Sequence, residues 1–153
     1  MTITTTTHLN FPGTARRALE FYRSVFGGEV TLATYGDLGM PEGTPGADRI
    51  VFGRLDGDGG FGLMAYDVPG AEGPGPRSTT RRQNGMTLTD SAFFQSVRAE
   101  SLDELTRYWD RLADEAEIIE PLAASPWSPG FGMLADRFGV TWVLDVQAAG
   151  AAG

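Results

Sequence analysis

The sequence predicts an α+β fold made of two modules, each with the order strand, helix and three strands. Residues 5–26 have the pattern of a strand, a tight turn and an amphipathic helix. Residues 92–113 show the same pattern 87 positions later (92 against 5). Short segments separated by turn residues follow each helix. Because the pattern recurs while few residues are identical, we expect two copies of one structural unit, with the functional site at their junction.

The first module begins with residues 3–11, whose threonine-rich and partly alternating character predicts a strand. Pro12 and Gly13 predict a turn, and Thr14 is placed to cap the helix that follows. The apolar stripe of this helix consists of Ala15, Ala18, Leu19, Tyr22, Val25 and Phe26. The later strands are predicted at residues 30–35, 49–55 and 61–66. The glycine- and proline-rich loop 36–47 is either a lid or a plain surface loop.

The second module begins with a strand predicted at residues 93–99. Ser101 and Glu104 match a capping box at the start of its helix. Its later strands are predicted at residues 117–122, 131–135 and 140–146. Between the first two of these, residues 123–130 are predicted to form a loop that presents Trp127.

All these elements are expected to form one domain. Its parts are module 1 (residues 1–68), a linker (69–85) and module 2 (86–148). The linker and its surroundings carry Arg77, Arg81 and Arg82. These arginines form either an anion-binding group or part of a solvated loop or subunit contact.

Composition excludes several classes of function. The chain has no cysteine and no lysine, and its formal net charge is −8. Disulfides, cysteine metal sites, Schiff-base lysines and a P-loop lysine are thereby excluded. The acidic balance disfavours a nucleic-acid partner, and the apolar runs are too short for a membrane span. No signal-peptide pattern is found in the first residues. The absence of cysteine fits a cytoplasmic location, which is expected.

Short motifs follow one another along nearly the whole chain. They are His8-Leu-Asn-Phe11, Ala18-Leu-Glu-Phe-Tyr22, Ser24-Val-Phe-Gly-Gly-Glu29, Tyr35-Gly-Asp37, Leu63-Met-Ala65, Asp67-Val-Pro69, Phe131-Gly-Met-Leu134, Asp136-Arg-Phe-Gly-Val140 and Trp142. Together they resemble the PhnB-like branch of the vicinal-oxygen-chelate superfamily, which includes glyoxalase I, extradiol dioxygenases and the fosfomycin- and bleomycin-resistance proteins. The resemblance implies paired βαβββ modules forming a cupped, mainly antiparallel sheet (the glyoxalase/bleomycin-resistance fold), usually in a homodimer.

Some members of this branch carry a methyltransferase label, and the sequence does not support it here. The chain lacks a strand, glycine loop and helix followed by an acidic ribose ligand. If the chain is an enzyme, the resemblance implies a metal-dependent lyase, isomerase or dioxygenase, with His8 as the best catalytic candidate.

The resemblance also implies where metal ligands would lie, on the first and last strands of each module. Aligning Thr14 with Ser101 without a gap gives four ligand positions, which are His8, Met64, Gln95 and Val143. One imidazole with a thioether, an amide and an aliphatic side chain is not a ligand set for zinc or iron. No cofactor is therefore predicted. The alternative is a weak divalent-metal site formed by His8, Gln95 and Asp145, if a different register turns Asp145 inward.

The predicted function is binding of a small organic molecule in an aromatic-lined cup, without a catalytic metal, as the resemblance to drug-sequestering proteins implies. The expected contacts are His8, Tyr35, Phe52, Met64, Gln95, Trp127 and Phe131. Two of these have alternatives, because His8 could be a hydrogen-bonded strand residue and Trp127 could close a dimer contact. A purely structural protein with a filled cup is a further alternative. A homodimer is expected because half-cups leave strand edges and aromatic surface to be covered.

Overall fold

The computed structural model describes residues 2–75 and 77–147, and it has two compact units, Met1–Gly75 and Pro76–Gly153. The elements of the first unit are β1 (Thr7–Phe11), α1 (Ala15–Phe26), β2 (Glu29–Thr34), β3 (Ile50–Asp56) and β4 (Gly62–Asp67). The elements of the second are β5 (Arg81–Gln83), β6 (Met86–Leu88), β7 (Gln95–Ala99), α2 (Leu102–Leu112), β8 (Glu117–Ser125), β9 (Ser128–Ala135) and β10 (Thr141–Val146). Among the described residues, no helix is both long and apolar enough to span a membrane.

The two four-stranded sheets have the same topology. The strand order is β1-β4-β3-β2 in the first unit and β7-β10-β9-β8 in the second. In each sheet the first strand pairs in parallel with the last, and the other neighbouring strands are antiparallel. The predicted α+β fold with two βαβββ modules is therefore confirmed.

In the first unit, α1 covers one face of the sheet. Its residues Ala15, Ala18, Leu19, Tyr22 and Val25 are buried, as the apolar stripe predicted. Helix and sheet approach closely at Gly53, where an added Cβ atom would lie 2.6 Å from Leu19 Cδ1. Because neighbours on a strand face opposite sides, the other face, here called helix-free face 1, carries His8, Asn10, Phe52, Arg54, Met64 and Tyr66.

In the second unit, α2 lies against β9 and β10. An added Cβ at Gly132 would lie 2.7 Å from Trp109 Cζ3, and one at Gly130 would lie 2.7 Å from Leu102 Cδ1. Trp142, Leu144 and Val146 of β10 are buried on this side. The opposite face, here called helix-free face 2, carries Ser96, Arg98, Phe131, Met133, Val143 and Asp145.

A small hairpin, whose first strand lies in the predicted linker and whose second strand opens the predicted module 2, lies beside helix-free face 2. It consists of β5 and β6, joined by Asn84 and Gly85, whose φ angles are 52° and 75°. Thr87 Oγ1 of the hairpin lies 3.7 Å from Met133 Sδ. The hairpin forms a separate two-stranded sheet, so side chains rather than a backbone ladder attach it to the unit.

The two helices begin in different ways. Ser101 Oγ accepts a hydrogen bond from the Glu104 amide of α2 at 3.2 Å, which is the predicted cap. At α1, Thr14 occupies the predicted cap position, but the capping acceptor is Asp67 at the end of β4. Its Oδ1 accepts from the Ala15 amide at 2.9 Å and from the Gly13 amide at 3.1 Å. The N-terminus of α1 is therefore capped by a side chain that is distant in sequence, whereas the N-terminus of α2 is capped by a local side chain.

Replacing Tyr108 by phenylalanine should reduce the alkaline loss of stability. The Tyr108 hydroxyl donates to Glu104 Oε1 at 2.8 Å, and this bond, followed by burial, raises the pKa of Tyr108. A raised pKa stabilises the fold below the ordinary tyrosine value of about 10, and the stabilisation disappears as pH rises through the folded-state value. We expect Y108F to lose about 0.5–1 kcal/mol at neutral pH and to show a shallower decline above pH ~10. Urea unfolding across pH measures both, and an unchanged decline would contradict the assignment.

Candidate functional site

Helix-free face 1 brings together two of the four predicted ligand positions. His8 of β1 is the direct parallel partner of Met64 of β4, and Asn10 is the partner of Tyr66. Leu9 and Phe11, which alternate with His8 and Asn10, are buried on the helix side. The strand pairing therefore presents one imidazole, one amide, one thioether and one phenol side by side.

The His8 ring has two defined neighbours. Its Nδ1 lies 3.0 Å from Asn10 Oδ1. Its ring centroid lies 5.2 Å from that of Tyr66 at an interplanar angle of 68°, an edge-to-face arrangement. These contacts fix the ring without covering it, since the His8 and Asn10 residues are exposed.

The two other aromatic residues predicted for this unit differ in their roles. The Tyr35 hydroxyl donates to the Asp67 carbonyl at 2.7 Å. Burial, together with the neighbouring Tyr66 and Asp67, raises the pKa of Tyr35, so this hydroxyl stays protonated. Tyr35 thus anchors the end of β4. Phe52 lies on helix-free face 1 and is 39% exposed, so its ring is available for contact.

In the second unit, the structure corrects the position assigned to Gln95. Gln95 pairs with Trp142, which is on the helix side of the sheet, whereas Ser96 pairs with Val143 on helix-free face 2. The burial pattern of β7 matches that of β1 near its end, with Ser96 exposed where His8 is exposed. The counterpart of His8 is therefore Ser96, and the gapless alignment was wrong by one residue at this strand.

Asp145 does lie on helix-free face 2, but an arginine engages it. Arg98 Nε and Nη2 donate to Asp145 Oδ1 and Oδ2 at 3.2 and 3.3 Å. These bonds raise the pKa of Arg98. Both carboxylate oxygens are thus used in a two-pronged ion pair, which leaves Asp145 poorly suited to hold a cation as well.

Trp127 and Phe131 form an aromatic pair in the second unit. Trp127 occupies a two-residue turn between β8 and β9 and is 53% exposed, so the predicted loop at residues 123–130 is instead largely strand. Its ring lies 5.1 Å from that of Phe131 at 72°. The Arg82 guanidinium lies 5.4 Å from the Phe131 centroid, and Arg82 Nε lies 3.6 Å from Glu120 Oε2. Arg82 therefore packs against the sheet, whereas Arg77 and Arg81 are exposed.

The loop after β2 lines an open cleft of about 520 Å³ in the first unit. Its lining includes Asp37, Met40, Glu42, Thr44 and Asp48. Asp37 Oδ2 accepts from the Thr34 amide at 2.8 Å, and this backbone bond lowers the pKa of Asp37. The carboxylate thus braces the loop, and whether the loop acts as a lid stays a prediction.

Neither unit has, at the ligand positions on its own first and last strands, residues that fit the divalent metal used by some members of the superfamily that the motifs resemble. These positions hold His8 and Met64 in the first unit and Ser96 and Val143 in the second. Within residues 2–75 and 77–147, no group of three or more His, Asp or Glu side chains is placed to hold a metal ion. An imidazole with a thioether in one unit, and a hydroxyl with an aliphatic group in the other, each lack the carboxylates and further imidazoles that such ions need.

Fold and motifs agree with the comparison to known proteins. The family model of the Glyoxalase/Bleomycin resistance protein/Dioxygenase superfamily matches residues 8–144, and the chain belongs to this superfamily. Protein YjdN of Escherichia coli (strain K12) is 24% identical over 149 residues, which cover 91% of this chain and 92% of YjdN.

Two solved structures show the same likeness. Protein PA1353 from Pseudomonas aeruginosa has a TM-score of 0.76 and 28% identity, covering 95% of this chain and 98% of its own. The PhnB protein from Bacillus cereus has a TM-score of 0.68 and 25% identity, covering 95% of this chain and 100% of its own. The predicted resemblance to the PhnB-like branch is thereby confirmed.

Proposed function

We propose that the chain binds a small, flat organic molecule on helix-free face 1 and does so without a catalytic metal. The observation that carries the proposal is the exposed His8 imidazole, held edge-to-face against Tyr66 and paired with Met64 across the strands. Apolar area with a few hydrogen-bonding groups is the usual lining of small-molecule sites. Phe52 adds a partly exposed ring on the same face.

The chemistry of the face favours binding over metal-assisted catalysis. The thioether of Met64 is a weak ligand for hard cations, which prefer oxygen. In the second unit, Arg98 takes both oxygens of Asp145. Arg54, the strand partner of Met64 on helix-free face 1, is an ion-pair partner of Asp56 at 2.7 Å, and a guanidinium is not a metal ligand. Helix-free face 1 is therefore better suited to aromatic stacking and hydrogen bonding than to holding a Lewis acid.

Replacing His8 by alanine should weaken the binding of flat aromatic probes about tenfold, because one hydrogen bond and one ring contact are lost. The probes are phenol, indole and 1-anilinonaphthalene-8-sulfonate. As the chain has one histidine, its ring resonances in NMR report binding at this position directly. Glu20→Ala, on the exposed face of α1, is the matched control and should bind like the parent.

Two results would count against the proposal. One is unchanged probe affinity in His8→Ala together with silent histidine resonances on probe addition. The other is protein, purified without chelator, that retains one equivalent of a divalent metal and loses probe binding when the metal is removed.

A further inference from the structure

We propose that Asn10 is a positioning residue that holds His8 in the tautomer protonated at Nδ1, so that Nε2 accepts a hydrogen bond from the ligand. The preferred ligands would then be flat organic molecules with an O–H or N–H donor. This inference rests on the proposed function, because it assumes that the ligand lies on helix-free face 1. It adds the chemical class of the ligand and the residue that selects it.

The tautomer follows from the partner of Nδ1. His8 Nδ1 lies 3.0 Å from Asn10 Oδ1. An amide oxygen has no proton to give, so the ring nitrogen must be the donor. In a neutral imidazole only one nitrogen carries a proton, which makes Nε2 an acceptor.

The strand geometry makes this contact local and repeatable. His8 and Asn10 are two residues apart on β1, so their side chains project from the same face. Tyr66, the strand partner of Asn10, lies edge-to-face with the His8 ring at 5.2 Å. The ring is therefore restrained from one side by a hydrogen bond and from another by an aromatic contact.

The remaining neighbour of His8 leaves the acceptor available. Met64, the strand partner of His8, has a thioether sulfur that accepts weakly and donates nothing. It cannot satisfy Nε2. A phenol, an enol or a heteroaromatic N–H can, whereas an ether or a nitro group presents a second acceptor to Nε2 and is disfavoured.

The second unit shows that the pair is particular to the first. The positions equivalent to His8 and Asn10 hold Ser96 and Arg98, and Arg98 is bonded to Asp145. The two units therefore share the strand pairing but differ in the side chains at these two positions. Selectivity for a hydrogen-bond donor is expected only at the first sheet.

The positioning role is tested on the unliganded protein by ¹⁵N NMR of the single histidine at alkaline pH, where imidazole side chains are neutral. The parent should show mainly the Nδ1-protonated form. Asn10→Leu should lower the ratio of Nδ1-protonated to Nε2-protonated ring about fivefold, the loss of one ordinary hydrogen bond. Asn10→Asp keeps an acceptor and should retain the parent tautomer. Thr31→Leu, on the exposed edge strand β2, is the matched control.

Two outcomes would overturn the positioning role. They are a parent protein that is mainly protonated at Nε2, and an Asn10→Leu variant with the parent ratio. Neither measurement uses a ligand, so neither outcome touches the proposed function.

The ligand class is tested with matched probe pairs, phenol against anisole and indole against N-methylindole. Phenol and indole, which carry the donor hydrogen, should bind the parent protein about tenfold more tightly than anisole and N-methylindole, because the methylated probes leave His8 Nε2 without a hydrogen bond. In Asn10→Leu, the difference in affinity between the two probes of each pair should be smaller. Equal binding within each pair, with affinity still lost in His8→Ala, would overturn the ligand class and leave the proposed function standing. Failure of all four probes to bind would instead overturn the proposed function, and with it the ligand class.

Discussion

Replacing Asp67 by alanine should lower the free energy of unfolding by about 4 kcal/mol, a large share of the stability of a domain this size. The Asp67 residue is 2% exposed. Its Oδ1 accepts from the Gly13 and Ala15 amides, and its Oδ2 accepts from the Ile50 amide at 2.8 Å. Removal leaves three backbone donors without their acceptor, in part-buried or buried surroundings, where an unmade hydrogen bond costs most.

The substitution should act on three elements together. The carboxylate joins the end of β4 to the start of α1 and to the start of β3. We therefore expect one cooperative transition at lower denaturant concentration, measured by urea unfolding followed by circular dichroism. Asp67→Asn, which keeps one acceptor oxygen, should lose about half as much. Asp58→Ala, at an exposed turn, should change stability by less than about 0.5 kcal/mol, and an equal loss in both alanine variants would refute this role for Asp67.

The sequence predicted the two helices and the order of the elements well, because both depend on patterns that are local. The stripe of α1 and the capping box of α2 were recognised from spacing and residue type. The cap of α1 could not be predicted this way. Its acceptor, Asp67, is 52 residues from Ala15 in sequence and reaches it only through the fold.

The site residues were predicted less well, because the face on which a strand residue lies changes when the alignment shifts by a single residue. Three residues separate β1 from α1, namely 12–14, whereas two separate β7 from α2, namely 100 and 101. Aligning the helix caps therefore shifts the strands by one position, and a shift of one turns every side chain to the other face. Ser96, rather than Gln95, takes the place of His8 for this reason.

Two turn signals would have improved the prediction. Asn84-Gly85 is a strong hairpin signal, and both residues have the positive φ angles that such a turn needs. Pro126-Trp127 is the two-residue turn between β8 and β9. Prolines at 126 and 129 suggested a loop, but Pro129 lies in β9. Tertiary pairing overrode local propensity here.

The motifs that identified the superfamily are mostly structural, which explains why they predict the fold more securely than the chemistry. Asp67 caps a helix, and Tyr35 anchors the end of β4. His8 is the one motif residue placed on a helix-free face with a titratable ring. Membership of the superfamily therefore defines the fold, whereas the function depends on the residues that surround the His8 ring.

Replacing Asp136 by alanine should destabilise the second unit by about 3 kcal/mol. Asp136 is 5% exposed and follows β9 directly. Its Oδ1 accepts from the Phe138 and Val140 amides at 2.8 and 3.1 Å, and its Oδ2 accepts from Trp142 Nε1 at 2.9 Å. The carboxylate therefore closes the turn from β9 to β10 and satisfies the indole of a fully buried tryptophan.

A double-mutant cycle with Trp142→Phe separates these two roles. Phenylalanine removes the indole N–H, so each single variant loses the hydrogen bond between Asp136 and Trp142. The double variant loses the same bond only once, and the difference between the summed single effects and the double effect is its coupling energy. We expect a coupling energy of about 1–2 kcal/mol, with the remainder of the Asp136 effect kept in the Trp142→Phe background because the turn amides still need their acceptor. Urea unfolding of the four proteins measures it. A coupling near zero would mean that the Trp142 indole gains nothing from the carboxylate, and that Asp136 acts on the turn alone.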